Sequence, residues 1–249
     1  MSEPGAANVV IVADEATLAQ TVAERFLAHA EAALRAHGCF YVALAGGSTP
    51  KAAYALLAAG YSEALDWDGV RFFFGDERCV APDSDDSNYK MANTTLLGPL
   101  CIPSDHVFRM RGEDNPEQAA RAYERLLLAN LPLEGGVPVF DLVMLGMGPD
   151  GHTASLFPGS DPHAHEASLV RAPFVSNFGT YRITLTPRVL TAAHAIDVAT
   201  AGPTKTAAFA AVVAGGADPV VYPIAVLAGA GARLTWLVDR VAAAGLRQT

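Results

Sequence analysis

Short apolar runs recur along this chain with helical stretches between them, and that alternation restricts the fold more than any other feature. The runs are CFYVALA (39–45), VRFFF (70–74), FDLVMLG (140–146), AIDVATAG (195–202) and RLTWLVD (233–239). Each is close to continuously apolar, as a strand buried on both faces requires. The segment ATLAQTVAERFLAHAEAALRAHG sets Leu18, Val22, Phe26 and Leu27 on one helical face and stops at Gly38. GGSTPKAAYALLAAG reads as a glycine turn and a helix, and PEQAARAYERLLLAN (116–130) as a helix. PTKTAAFAAVVAGG reads as a helix from about Thr204, and RVAAAGL as a last one. YRITLT (181–186) is a strand with polar alternation, and GDERCVAPDSDDSNYK a polar loop. Strands alternating with helices imply a parallel sheet covered on both faces. There is no fixed-period repeat or linker, and the Pro/Gly segments near 131–138 and 157–163 read as loops. The expected organisation is therefore one domain, residues 1–249.

Composition removes several function classes. Hydrophobic residues make up 51% of the chain and charged ones 17%, which supplies a core and argues against disorder. A formal net charge of −9 is unsuited to sequence-independent nucleic-acid binding. A small anionic substrate would need a local cluster of Arg and Lys. Cys39, Cys79 and Cys101 are widely spaced with no CxxC, the pattern of reduced thiols in a cytoplasmic protein. The first residues carry acids and no long apolar run, unlike a signal peptide, and no apolar stretch of about 18 residues points to a membrane.

Ligands of such sheets bind beyond the carboxyl ends of the strands, so the loops after residues 45, 74, 146 and 201 are the places to look. In AGGSTPK, Gly46 and Gly47 let backbone approach a ligand, Ser48 or Thr49 can cap the helix, and Pro50 suits its first turn. The free N–H groups make an anion site, although an ordinary tight turn has the same features. It is not a P-loop, because G-x-x-x-x-G-K-[ST] is absent. In AGPTKTAAF, Lys205 falls in the first turn of a helix, where a cation opposes the dipole by a few tenths to about 1 kcal/mol. An anion between them reverses that penalty; a solvated lysine is the plain alternative. FFFGDERCV ends a strand in Asp76, Glu77 and Arg78. These form either a surface turn or a cleft wall with Arg78 forked onto an anion. Asn88 follows within reach of a ligand, and Arg182 lies near the sheet as an edge residue or an anion contact.

The loop GMGPDGHTASLFP, residues 146–158, contains Gly146, Gly148 and Gly151 as G-x-G-x-x-G. A dinucleotide fingerprint also needs a full crossover helix and an acid about 20 residues on. Glu166 has the offset, but HTASLF offers at most six helical residues before Pro158. The cofactor reading fails on that length. What remains is Asp150 beside His152 at a strand end. A carboxylate can orient an imidazole and raise its basicity, as general-base work requires; a histidine capping a short helix is the structural alternative. Asp161, His163 and His165 are close in sequence but lack zinc spacing, and there is no G-x-S-x-G elbow.

The segments LAGGSTP, FFGDERCV…SNYKMANTTLL, FDLVMLGMGPDGHTASLFPGS, RITLTP, AGPTKTAAF and TWLVD, in this order over roughly residues 40–240, resemble the glucosamine-6-phosphate isomerase/6-phosphogluconolactonase family, and its lactonase branch most closely. The resemblance implies an α/β fold, a three-layer α/β/α sandwich with a mainly parallel, Rossmann-like sheet, shared with glucosamine-6-phosphate deaminases and ribose-5-phosphate isomerases. It implies hydrolysis of 6-phosphoglucono-1,5-lactone in the oxidative pentose phosphate pathway, without metal or organic cofactor. The phosphate would lie on Gly46, Gly47, Ser48 and Thr49, with Lys205, Arg182 and Asn88 as further substrate contacts. His152 would be the base, Asp150 its orienting partner, and Arg78 either a phosphate ligand or an oxyanion stabiliser. The expected partner is a small phosphorylated sugar lactone, with no nucleic acid and no membrane, for a monomer or weak homo-oligomer. Deaminases of this family typically continue from the histidine as His-Ile-Ala-Phe-Asn-Glu-Pro. Here Phe157 stands where that glutamate would be, and an apolar ring cannot relay the protons of ring opening. A non-catalytic sugar-phosphate sensor on the same fold is the reading from another class.

Overall fold

The computed structural model of the chain describes residues 8–159 and 167–246. In chain order the elements are β1 (Asn8–Val12), α1 (Glu15–His37), β2 (Phe40–Leu44), α2 (Ser48–Gly60), β3 (Val70–Phe74), β4 (Asp76–Arg78), α3 (Asn88–Ala92) and α4 (Pro116–Asn130). A small hairpin of β5 (Leu133–Glu134) and β6 (Val137–Pro138) leads to β7 (Leu142–Gly146). Then come β8 (Val170–Arg171), β9 (Phe174–Val175), β10 (Thr180–Leu185), α5 (Pro187–Leu190), β11 (Ala195–Thr200), α6 (Thr206–Val213) and β12 (Leu234–Asp239).

The central sheet has six strands in the order β1-β12-β11-β7-β2-β3, and all of its pairings are parallel. Its strands end together at one edge, where their loops meet. Side-chain alternation shows which layer covers which face. On one face Arg25 of α1 forks onto buried Asp197 of β11 at 2.8 Å and reaches Thr235 of β12. Phe26 of α1 meets Phe40 of β2 on that side at 5.3 Å between centroids. Trp236, the next residue after Thr235, points the other way onto Phe209 of α6, 5.5 Å between centroids. Helices thus lie on both faces, and the interior strands are mostly apolar because they have no solvent side, with Asp197 and Thr235 paired by Arg25. Phe40, Val42, Phe72, Phe73, Val143, Ile196 and Val198 are fully buried.

Two buried tyrosines hold strand ends. The Tyr54 hydroxyl of α2 donates to Ala45 O and accepts from Ala45 N, each at 3.0 Å. The Tyr123 hydroxyl of α4 does the same for Phe74, at 3.2 and 2.9 Å. Each otherwise unpaired backbone group is satisfied where a buried strand stops, so the loops after residues 45 and 74 leave from fixed points. Burial drives both phenol pKa values up, and the hydroxyls remain neutral donors.

Several expectations need correction. β1 carries no expectation from the sequence, since NVVIV is short and lacks the bounding turn signals of the other strands; it is exposed and adds an edge to β12. The 181–186 strand is β10, which lies outside the central sheet and pairs antiparallel with β4, β8 and β9. The polar loop after β3 is partly regular, because β4 pairs with β10 and Ser87 caps α3 through Lys90 N. Glu77 is buried there. It accepts from Ser87 Oγ and the backbone N–H groups of Arg78, Asn88 and Tyr89. Burial pushes its carboxyl up in pKa while those N–H groups pull it down. RVAAAGL gives only a four-residue 3-10 turn, Ala242–Gly245. HTASLF forms no helix; Thr153 and Leu156 bridge across a tight turn instead.

Candidate active site

The loops after β2, β3, β7 and β11 enclose a cleft of about 240 Å³ at the carboxyl edge of the sheet. That is below the roughly 300–1,000 Å³ of drug-sized pockets and suits a small molecule. Gly46, Gly47, Ser48 and Thr49 line it beside Asp76, Arg78, Gly146, Gly148, His152, Ala154 and Lys205. Seven of the ten expected site residues line it, and Asp150, Asn88 and Arg182 do not.

The start of α2 differs from the expectation in its cap. Gly47, at φ 105°, is the N-cap, and no side chain caps the helix. The first N–H groups of α2 are consequently left to a ligand or solvent, as an anion site needs. A Cβ on Gly46 would sit 2.1 Å from Asn88 Oδ1, so only glycine allows α3 to pack this close behind the loop. Asn88 itself is buried and donates from Nδ2 to Asp76 O and Oδ1 at 2.9 and 3.0 Å. It lies behind the wall and shapes the loop rather than facing the cleft.

His152 and Asp150 form a close pair. His152 Nδ1 lies 2.6 Å from Asp150 Oδ1, which also accepts from His152 N at 3.2 Å. A carboxylate only accepts, so Nδ1 is the donor, and in the neutral ring the lone pair is on Nε2. Partial burial works to raise the Asp150 pKa, but the His152 N–H, the imidazole's charge and its ring donor hold it below the ordinary value. The turn after His152 is tied down by three bonds. Thr153 Oγ1 donates to Gly146 O at 2.9 Å, Ser155 Oγ to Asp76 Oδ2 at 2.6 Å, and Ser155 N to Thr184 Oγ1 at 3.2 Å. Ala154 between them takes φ 46°, a left-handed conformation that costs a non-glycine residue energy and that the three bonds impose.

The cations are arranged in two groups. Lys205 is half-buried in a 3-10 turn, Pro203–Lys205, that precedes α6 rather than within the helix. Burial lowers its pKa, and the Asp150 charge works against that. Arg78 and Arg182 stand opposite each other in the β4–β10 register. Arg78 donates from Nη1 to Asp86 O at 2.5 Å. The Nε atoms of both arginines are buried without a hydrogen-bond partner. Burial lowers the Arg182 pKa, and the neighbouring Arg78 charge adds to the effect.

Three cleft features lie outside the sequence reading. Glu15, the first residue of α1, lines the rim, and its carboxylate would lie 3.8 Å from a Cβ on Gly202. Ser155 links the His152 turn to Asp76. Tyr222 backs Gly151, where a Cβ would meet its ring at 2.7 Å, and Ile224 N donates to Gly151 O. No local pattern marks these residues, because each is brought in by packing between distant segments. Among the described residues no three His, Cys, Asp or Glu side chains gather as a metal site. Asp161, His163, His165 and Glu166 lie outside the described residues.

Residues 13–236 match the family described as glucosamine-6-phosphate isomerases/6-phosphogluconolactonase. A 6-phosphogluconolactonase of Nostoc sp. is 37% identical over 244 residues, 96% of this chain and 98% of the relative. One from Treponema pallidum is 40% identical over 188 residues, covering 75% of this chain and 78% of the relative. The solved 6-phosphogluconolactonase of Trypanosoma brucei superposes with a TM-score of 0.87 at 34% identity, covering 96% of this chain and 98% of that one.

Proposed function

Because the chain belongs to the glucosamine-6-phosphate isomerase/6-phosphogluconolactonase family, we propose that its cleft hydrolyses 6-phosphoglucono-1,5-lactone to 6-phosphogluconate with His152 as general base. The observation that carries this reading is the 2.6 Å bond from His152 Nδ1 to Asp150, which leaves Nε2 as a base in the cleft wall. Nε2 takes a proton from water as the water oxygen bonds to the lactone carbonyl carbon. Asp150 keeps the ring oriented and stabilises the imidazolium. As the tetrahedral intermediate collapses, the bond from the carbonyl carbon to the ring oxygen breaks. The imidazolium returns its proton to that oxygen, leaving a hydroxyl and a carboxylic acid that ionises. The α2 N–H groups and Lys205 hold the phosphate. Arg78, which lines the cleft, would meet either the phosphate or the developing oxyanion. Arg182, its cross-strand partner, supports the same field. The reaction needs no proton relay beyond His152, and Phe157 in place of the deaminase glutamate supports lactone hydrolysis over deamination.

Purified protein should consume the lactone and release no ammonia from glucosamine 6-phosphate. Ammonia release at a rate matching lactone loss would transfer the assignment to the deaminase branch, and sugar-phosphate binding without turnover would favour a sensor.

The Gly148 backbone gives a separate check. A Cβ there would lie 2.0 Å from His152 Nδ1 and 2.6 Å from Asp150 Oδ1, so Gly148→Ala must displace the pair. A misplacement of about 1 Å costs on the order of 10²-fold in rate. Steady-state kinetics on the variant should show that loss in kcat, and a wild-type kcat would mean that the pair's geometry is unimportant.

A further inference from the structure

A line of stacked side chains runs from His152 out to the exposed ring of Phe178. The His152 and Phe157 ring centroids lie 4.5 Å apart at 32°. Phe157 meets the edge of Phe178 at 5.7 Å and 62°. The Arg182 guanidinium carbon lies 5.1 Å from the Phe178 centroid. Phe178 ends the Ser176–Phe178 turn between β9 and β10, and Gly179 follows at φ 61°. Its side chain is 57% exposed, so core burial does not account for a phenylalanine at this position. Among the described residues its ring and cation contacts are Phe157 and Arg182.

We propose that Phe178 is a positioning residue for His152, seating Phe157 against the imidazole so that the ring keeps Nδ1 on Asp150. The inference rests on the reading of His152 as the base. An imidazole is loosely restrained about its second torsion, and the Asp150 carboxylate that anchors it is 41% exposed. A single hydrogen bond to an exposed group leaves the ring free to turn over, which would put Cδ2 where Nδ1 stood, break the bond to Asp150 and move Nε2 away from its place in the cleft wall. A ring packed on the imidazole face opposes that rotation. Arg182 fixes the outer end of the stack, and by the β4–β10 register it stands beside Arg78. Anion binding at the arginines and imidazole orientation are thereby mechanically joined through one exposed aromatic residue.

The test uses the full chain with lactone generated in situ, and an exposed site makes loss of the fold an unsuitable explanation for any effect. Phe178→Ala should lower kcat about 3- to 10-fold, the range one aromatic pair supplies, with KM little changed. Phe178→Tyr keeps the ring and should restore kcat. The 15N shifts of the His152 ring should report one Nδ1–H tautomer in the wild type and a mixture in Phe178→Ala. Unchanged kcat and unchanged shifts would overturn the proposal, as would a rise in KM alone. His152→Ala is measured in parallel. If it retains wild-type kcat, the base reading fails, and the ring shifts still report whether Phe178 orients the imidazole. If it loses activity while Phe178→Ala matches wild type in both readouts, only the positioning role fails.

Discussion

His152→Ala should lower kcat for 6-phosphogluconolactone by about 10²- to 10⁴-fold, the contribution of a positioned base, while 6-phosphogluconate binds nearly as in the wild type. The two effects separate because the base and the anion groups come from different strand ends. His152 follows β7, whereas the free N–H groups open α2 and Lys205 follows β11. The loss has a ceiling, since lactones hydrolyse unaided and the residual rate cannot fall below the spontaneous one. Asp150→Asn should act in the same direction through the ring's orientation. A near-normal kcat in His152→Ala would remove the base from the account.

Lys205→Ala should raise KM for the phosphorylated lactone by about 10- to 100-fold, the worth of one hydrogen bond to a charged group. It should scarcely change turnover of unphosphorylated gluconolactone. The half-buried ammonium is the binding form, and burial lowers its pKa despite the opposing Asp150 charge. As pH rises, the free enzyme therefore loses this cation earlier than an exposed lysine would. The wild-type KM for the phosphorylated lactone should climb on the alkaline side, and the variant should lack that limb. Equal losses on both lactones would show that Lys205 does not serve the phosphate.

Much of this was legible in the sequence where a residue's job is local. The strands at 40–44, 70–74, 142–146, 195–200 and 234–239 announce themselves because burial on both faces leaves few polar positions. Gly38 ends α1 in the left-handed conformation that a glycine stop predicts. Asp150 and His152 are two residues apart, so their pairing needs no long-range information. What was hidden depends on partners far away in the chain. Asn88 reads as a ligand contact because its spacing says nothing of Gly46 and Asp76, which take its amide and fill its space. Glu77 belongs to a stretch that reads as a surface turn or a cleft wall, and its burial is hidden because it rests on four donors, three of them backbone N–H groups, that carry no residue-type signal. The segment after His152 reads as a helix by composition, yet bonds to Gly146, Asp76 and Thr184 override that propensity and force Ala154 to a positive φ. The dinucleotide reading fails even so, since no crossover helix follows the glycines before Gly159.

Phe157 joins both levels. The sequence places it where deaminases of the family have a glutamate, and the structure lays its ring 4.5 Å from that of His152. An apolar ring there carries no proton, in keeping with the proposed hydrolysis by a single base.

The most direct measurement follows 6-phosphogluconolactone, generated in situ, in three parallel samples: wild-type protein, His152→Ala and no protein. The account predicts rapid loss with the wild type and, with the variant, loss close to the spontaneous rate. Wild-type and variant curves that coincide, whether fast or spontaneous, would contradict it.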